Sequence, residues 1–318
     1  MSKLDCIYIA ASPRDMRFTR ICVASIRYFY PDVPIRLLMG RLNGKFADEL
    51  RRYWNVELAD IPHGEYGWGY ISYMPMFAKA GERSLYMDSD TIMAGPVLDW
   101  ADQNDEDFII DDEIQPPEVA KSMYLDVEQS IADDTPIPQP EFLFNIGHYF
   151  CTAGTVTRAD FDGLVRWGFP TRIVNPRVFK QESQGVFNFV VNRRYREGTL
   201  SVARVPMMYW PGRGMQGVDP ARIIRKENAP LIIHWAGLKK ARLASMPGTG
   251  LLEYFEKLYY TRLPGGELRR RAMAVGHSLT HWWHEIRIRF GLRRRMIIRK
   301  LQRIGLMSDR TDTTANVF

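Results

Sequence analysis

Ser84-Leu85-Tyr86-Met87-Asp88-Ser89-Asp90-Thr91-Ile92-Met93-Ala94-Gly95-Pro96 is the most informative stretch of the chain. A short apolar run, typical of a buried strand, ends in two aspartates one residue apart and then passes into Gly95-Pro96, a turn pair. In extended chain, residues i and i+2 project to the same side, so Asp88 and Asp90 converge on one point. Two carboxylates there offer hard oxygen ligands to Mn²⁺ or Mg²⁺, and an ion held in this way completes its shell with water and phosphate oxygens. That is the requirement of a nucleoside diphosphate. The plain alternative is a solvated turn carrying two surface aspartates.

The surroundings of this stretch favour the strand reading. Leu4 to Ala11 is a buried-strand run closed by Ser12-Pro13-Arg14-Asp15. From Phe18 the apolar residues Ile21, Cys22, Ile26 and Phe29 recur in helical steps up to Pro31. Pro34 to Met39 reads as a second strand, Phe46 to Tyr53 as a helix, Asn55 to Leu58 as a third strand, Tyr73 to Lys79 as a helix, and Ser84 to Met87 as the fourth strand. Such alternation predicts an α/β fold: a Rossmann-like, mostly parallel sheet with helices on both faces and a ligand site beyond the carboxyl ends of the strands. Ala10 to Arg14 and the residues after Met87 lie where that site is expected. Past residue 115 a Pro-rich segment reads as surface loops; strands at Tyr149 to Thr157 and Leu231 to Trp235 follow, with a helix at Gln184 to Asn192 between them.

Composition limits the other possibilities. With 318 residues, 46% apolar and 25% charged, the chain is globular, of one large or two modest domains. Cys6, Cys22 and Cys151 are three, far apart and without metal-ligand spacing, so neither a disulfide framework nor a structural zinc site is expected. The first apolar run is too short for a signal peptide, and no run reaches the ~18 residues of a spanning helix. Net charge is +6, but eleven Arg or Lys between Glu267 and Gly305 oppose only Glu267 and Glu285, so the tail carries +9 and the rest −3. The expected organisation is therefore a catalytic domain over 1–264, a basic amphipathic helical tail over 265–306, and a disordered end over 307–318.

Downstream, Ile232-Ile233-His234-Trp235-Ala236-Gly237-Leu238-Lys239-Lys240 sets a histidine at the end of an apolar run, with glycine three residues later and lysine six later. Together with LYMDSDTIM, this pattern resembles the GT-A glycosyltransferases, especially family 8, the group of glycogenin and the bacterial lipooligosaccharide galactosyltransferases. The resemblance covers roughly residues 4 to 245. It implies that Asp88, Asp90 and His234 bind Mn²⁺ (or Mg²⁺), and that Gly237 and Lys240 contact the diphosphate. It also implies that Ala10, Ala11 and Ser12 meet the nucleoside, with Ser89 in the same nucleotide-binding set. Imidazole suits Mn²⁺, and an ammonium offsets diphosphate charge.

Gln184-Gly185-Val186-Phe187-Asn188 resembles the family segment that opens Asp-Gln and closes in Asn, so Gln184 joins Asp88 and Asp90 as a catalytic candidate. Ser183 stands where the family has its sugar-binding aspartate, with Glu182 adjacent. For the family's strand with an Asn-small-Gly turn there are two candidates, Asn145-Ile146-Gly147 and Thr152-Ala153-Gly154. Spacing to Gln184 favours the second, which assigns Thr152 and Gly154 to the nucleotide. The implied activity is transfer of a hexose, by resemblance from a UDP-sugar with retention of configuration, to a glycan or lipid-linked glycan. Competing readings are a nucleotide-binding relative that has lost transfer and a sugar nucleotidyltransferase; the latter needs a Gly-rich first loop, and Ala10 to Asp15 contains no glycine.

Tyr66 to Tyr70 with Tyr73 could form an aromatic lip for an acceptor sugar or simply pack a loop, and the acidic clusters at 105–107 and 111–113 read as solvated carboxylates, with action of one of them on the acceptor as the alternative. In the tail, Leu268, Ala272, Val275, Leu279, Trp282, Ile286 and Phe290 form one apolar stripe among arginines. This pattern predicts a cytoplasmic protein held peripherally on an anionic membrane surface, the alternative being a stripe that packs on the catalytic domain or joins oligomers; it does not predict a nucleic-acid binder, since a wide apolar stripe is unnecessary for phosphate contact.

Overall fold

Cys6–Ala11 (β1) is buried on both faces, as its continuous apolar run requires, and forms the middle of a sheet in the computed structural model. The structure describes residues 3–13, 15–39, 44–59, 70–168, 170–181, 183–238 and 242–276. The other strands, in chain order, are Ile35–Met39 (β2), Val56–Leu58 (β3), Arg83–Asp88 (β4), Thr91–Met93 (β5), Phe108–Asp111 (β6), His148–Thr152 (β7), Val165–Arg166 (β8), Arg172–Ile173 (β9), Val202–Val205 (β10), Met208–Tyr209 (β11) and Ile232–His234 (β12). The main sheet has seven strands in the order β10-β6-β7-β4-β1-β2-β3. All run parallel except β7, which is antiparallel to both β4 and β6. The α/β reading of the sequence is borne out, with one reversed strand making the sheet mixed.

Five helices matter most here: Met16–Phe29 (α1), Gly44–Trp54 (α2), Pro117–Met123 (α3), Ser183–Arg196 (α4) and Thr249–Thr261 (α5). The apolar periodicity of α1 buries Ile21, Cys22, Val23 and Ile26 completely. Charged groups hold the helical layer together: Arg17 pairs with Glu256 of α5 at 2.6 Å, while Arg20 and Tyr259 share Glu49 of α2 at 2.9 and 2.8 Å. The segment expected as a helix over Tyr73 to Lys79 is instead a 3₁₀ helix, Ile71–Phe77, because Pro75 lacks the amide that a longer α-helix needs. The Pro-rich region read as loops contains α3 and a further turn of helix, Val127–Ala132. Pro117 opens α3, where its missing amide costs nothing.

The structure divides into two compact units, 1–264 and 265–318. Of the second, residues 266–276 are helical, with Glu267 bridging Arg270 and Arg271. The rest of the predicted tail, and the predicted disordered end, lie outside the described residues. Among the described residues no helix is long and apolar enough to cross a membrane.

Candidate metal and donor site

A three-stranded satellite sheet, β11-β12-β5, creates the site. Asp88 ends β4, and the hydroxyl of Thr91 donates to the Asp88 carbonyl at 2.6 Å, closing a tight turn through Ser89 and Asp90. β5 then pairs antiparallel with β12, placing His234 opposite Thr91, and Trp235 donates its amide to the Asp90 carbonyl at 2.9 Å. A histidine 144 positions beyond Asp90 thus reaches both carboxylates: its Nε2 is 3.5 Å from Asp90 Oδ1 and 3.9 Å from Asp88 Oδ2. One ligand atom from each of Asp88, Asp90 and His234 lies within 4.8 Å of the others. Two carboxylates and an imidazole suit Mg²⁺ or Mn²⁺. Asp90 and His234 are buried, whereas the Asp88 side chain is 32% exposed and faces the opening.

Neighbours hold these side chains in place. The Tyr86 hydroxyl donates to Asp88 Oδ1 at 2.6 Å. Burial, and then the adjacent Asp88 carboxylate, hold that phenol well above its ordinary pKa, so it remains a donor. Asp88 donates its amide to the Gly147 carbonyl at 2.7 Å. Gly147 has no room for a side chain: a Cβ would stand 2.3 Å from His234 Cε1 and 3.0 Å from Asp88 Oδ2.

The cavity over this cluster has a volume of about 420 Å³, within the range of small-molecule sites. Its wall includes Ala10, Tyr86, Asp88, Asp90, Asn145, Ile146, Gly147, Ser183, Gln184, His234, Ala236 and Gly237. Of the residues expected from the sequence, Ala10, Asp88, Asp90, Gln184, His234 and Gly237 therefore meet in one place. Ala11 and Ser89 are buried beside it, and the Ser12 hydroxyl turns to the Asp15 carboxylate at 2.8 Å. Lys240, Glu182 and the segment Tyr66 to Gly69 lie outside the described residues.

One expectation is corrected. Thr152 pairs with Arg83, at the start of β4, and Gly154 follows it, so both lie at the opposite end of the sheet from Asp88. Because β7 runs antiparallel, the residues just before its start, Asn145 to Gly147, reach the site; spacing to Gln184 pointed the wrong way because strand direction is invisible in it. Of the two readings of the aromatic segment, packing holds for Tyr70 and Tyr73: they are 2% and 0% exposed, and Tyr73 donates to the Ser183 carbonyl at 2.6 Å within an aromatic core.

Gln184 lines the cavity, but its carboxamide is already engaged, accepting from Ile146 N at 3.2 Å and donating to Phe144 O at 2.5 Å. It is the first rung of a ladder. Asn188 accepts from Phe144 N at 3.0 Å and donates to Phe144 O at 2.9 Å. Asn192 accepts from Glu141 N at 2.7 Å and donates to Phe142 O at 3.0 Å. Four residues of helix rise about 6 Å and two residues of extended chain about 6.7 Å. Amides at i, i+4 and i+8 of α4 therefore match alternate residues of segment 141–146, and they satisfy the backbone leading into Asn145 to Gly147. The i, i+4, i+8 carboxamides were legible in the sequence; their partner was not.

His148, the first residue of β7, was not anticipated at all. It is fully buried, neither ring nitrogen has a hydrogen-bond partner among the described residues, and its ring stands perpendicular to that of His234 with centroids 5.9 Å apart. Burial, then His234, push its pKa well below the ordinary value.

No protein-family model and no curated protein matches the chain. Solved structures do. An active-site mutant of LgtC has 11% identity and a TM-score of 0.52, over 78% of this chain and 94% of that one. The bifunctional glycosyltransferase WbbM has 13% identity and a TM-score of 0.52, over 82% of this chain and 52% of its own. The apo form of the glycosyltransferase GlyE from Streptococcus pneumoniae TIGR4 has 13% identity and a TM-score of 0.50, over 85% and 63%. In its architecture, the chain shares the fold of the GT-A glycosyltransferases.

Proposed function

We propose that the protein is a metal-dependent glycosyltransferase that moves a sugar from a nucleoside-diphosphate donor, a UDP-hexose by family resemblance and with retention, onto a glycan or lipid-linked glycan. The observation that carries this reading is the convergence of Asp88, Asp90 and His234 on one side of a cavity of about 420 Å³. Asp88 and Asp90 hold the divalent ion through carboxylate oxygens and His234 through Nε2. When bound, the ion neutralises the charge that develops on the leaving diphosphate. The Tyr86 hydroxyl holds the Asp88 carboxylate in its rotamer. Small residues at Ala10, Gly147 and Gly237 keep the cavity open at its strand end, and Asn145, Ser72 and Ser183 line it with uncharged polar groups suited to sugar hydroxyls. Lys240 adds a cation for the diphosphate, and residues 265–306 place the enzyme on an anionic membrane surface of the cytoplasm.

Calorimetry with UDP and MnCl₂ tests the donor site without knowledge of the acceptor. Binding that depends on Mn²⁺ and is lost in Asp90→Ala is expected; Mn²⁺-independent binding would refute the reading. A second reading, nucleotide binding without transfer, draws on the occupied Gln184 amide and on Ser183 at the family's acidic position. Donor hydrolysis above an Asp88→Ala control excludes it.

A further inference from the structure

The buried imidazole of His148 is unexplained by packing. Leaving a buried polar group without a hydrogen-bond partner costs about 1–3 kcal/mol, which an apolar residue at the same place would avoid. Phe150 and Leu85, in the same strand pair, show that apolar side chains occupy this part of the sheet readily. Three observations connect His148 to the metal ligands. Its ring meets the His234 ring edge to face. It opposes Met87, the residue before Asp88, in the β4–β7 register. It follows Gly147, whose carbonyl accepts the Asp88 amide and whose missing side chain admits the His234 ring. Nε2 of His234 is the nitrogen nearest the carboxylates, so the orientation of that ring decides whether the three ligand atoms converge.

We propose that His148 is a positioning residue of the cation site, a second imidazole that sets the ring orientation of His234. The inference rests on the metal-binding reading above. Outer partners of a ligand histidine usually act through a hydrogen bond, and their loss lowers metal affinity by about 10- to 100-fold; His148 acts instead through ring contact, and its loss should fall at the lower end of that range. A residue kept for that purpose, at the expense of an unpartnered buried ring, makes an unusual pair of demands. His148→Leu fills the slot with an apolar side chain and removes both the ring and its two unpartnered nitrogens. It should melt no lower than the parent in the absence of metal, yet bind Mn²⁺ at least tenfold more weakly.

The experiment is Mn²⁺ titration of the full chain, followed by electron paramagnetic resonance, on the parent, His148→Leu and His148→Phe, with thermal unfolding of each in EDTA. His148→Phe retains a ring for the contact with His234 and should recover part of the affinity lost in His148→Leu. Mn²⁺ affinity in His148→Leu within twofold of the parent overturns the inference. Loss of affinity that merely follows loss of folding also overturns it. A second measurement needs no variant: in long-range ¹H–¹⁵N spectra of the parent titrated with Mg²⁺, the His148 ring nitrogens should shift together with those of His234, and a stationary His148 refutes the role. If the parent itself binds no Mn²⁺, it is the metal-binding reading that fails, a result distinct from any of these.

Discussion

Replacing Gly147 with alanine tests how closely the cation site is packed against β7. The new Cβ would stand 2.3 Å from His234 Cε1, whereas ordinary contact begins near 3.4 Å, so the imidazole must retreat by about 1.1 Å. Asp88 Oδ2, at 3.0 Å, must give by a few tenths of an ångström as well. Neither has an easy escape: His234 is buried, and the other carboxylate oxygen of Asp88 is held by Tyr86. Metal–ligand distances tolerate only about 0.2 Å, so the retreat removes His234 from the ligand set. Overpacking of this kind costs about 1–3 kcal/mol of stability, and the loss of one ligand of three should lower Mn²⁺ affinity at least tenfold, about 1.4 kcal/mol. The matched control is Gly154→Ala at the far end of the sheet. Gly154 has φ +88°, a left-handed conformation that alanine adopts only with strain, so this variant should lose stability while keeping its Mn²⁺ affinity. Calorimetric titration of both variants with MnCl₂, beside thermal unfolding of the metal-free proteins, separates the two effects. Mn²⁺ affinity of Gly147→Ala within twofold of the parent would refute the reasoning.

Two further outcomes follow from groups near the site. Asn188→Leu removes the middle rung, leaving Phe144 N without its acceptor while Phe144 O keeps the Gln184 amide, and should cost about 1–3 kcal/mol by urea unfolding; a loss under 1 kcal/mol would mean that the ladder contributes little. Asp111 is buried, which raises its pKa to about 7 even though it accepts the amides of Met208 and Met207, with Glu113 and Asp112 adding repulsion. Its folded pKa lies above the unfolded value near 4, so the native state holds the extra proton between about pH 4 and 7 and stability falls as pH rises through that window. Asp111→Asn preserves the acceptor oxygen and should remove this slope, gaining up to about 4 kcal/mol at pH 8 and nothing at pH 4, as read from unfolding curves at both values.

The order of buried strands and amphipathic helices was legible in the sequence because burial on both faces leaves a continuous apolar run, and burial on one helical face leaves a period near four. Asp88 and Asp90 were legible as two carboxylates at a strand end, but they converge through the tight turn that the Thr91 hydroxyl closes and not through alternation in extended chain. His234 could be linked to them only through a family pattern, since antiparallel pairing of β12 with β5 spans more than a hundred residues and leaves no local signature. The reversal of β7 was equally hidden. Parallel and antiparallel buried strands have the same composition, so the choice between Asn145 to Gly147 and Thr152 to Gly154 waited on the direction in which the chain crosses the sheet. Gln184, Asn188 and His148 mark the remaining boundary. The sequence by itself determines that these residues are polar and where they stand along an element. Only the tertiary structure decides that two of them complete the backbone of a distant segment, and that the third lies against the ring of His234, because a buried polar group takes its role from whatever the fold brings beside it.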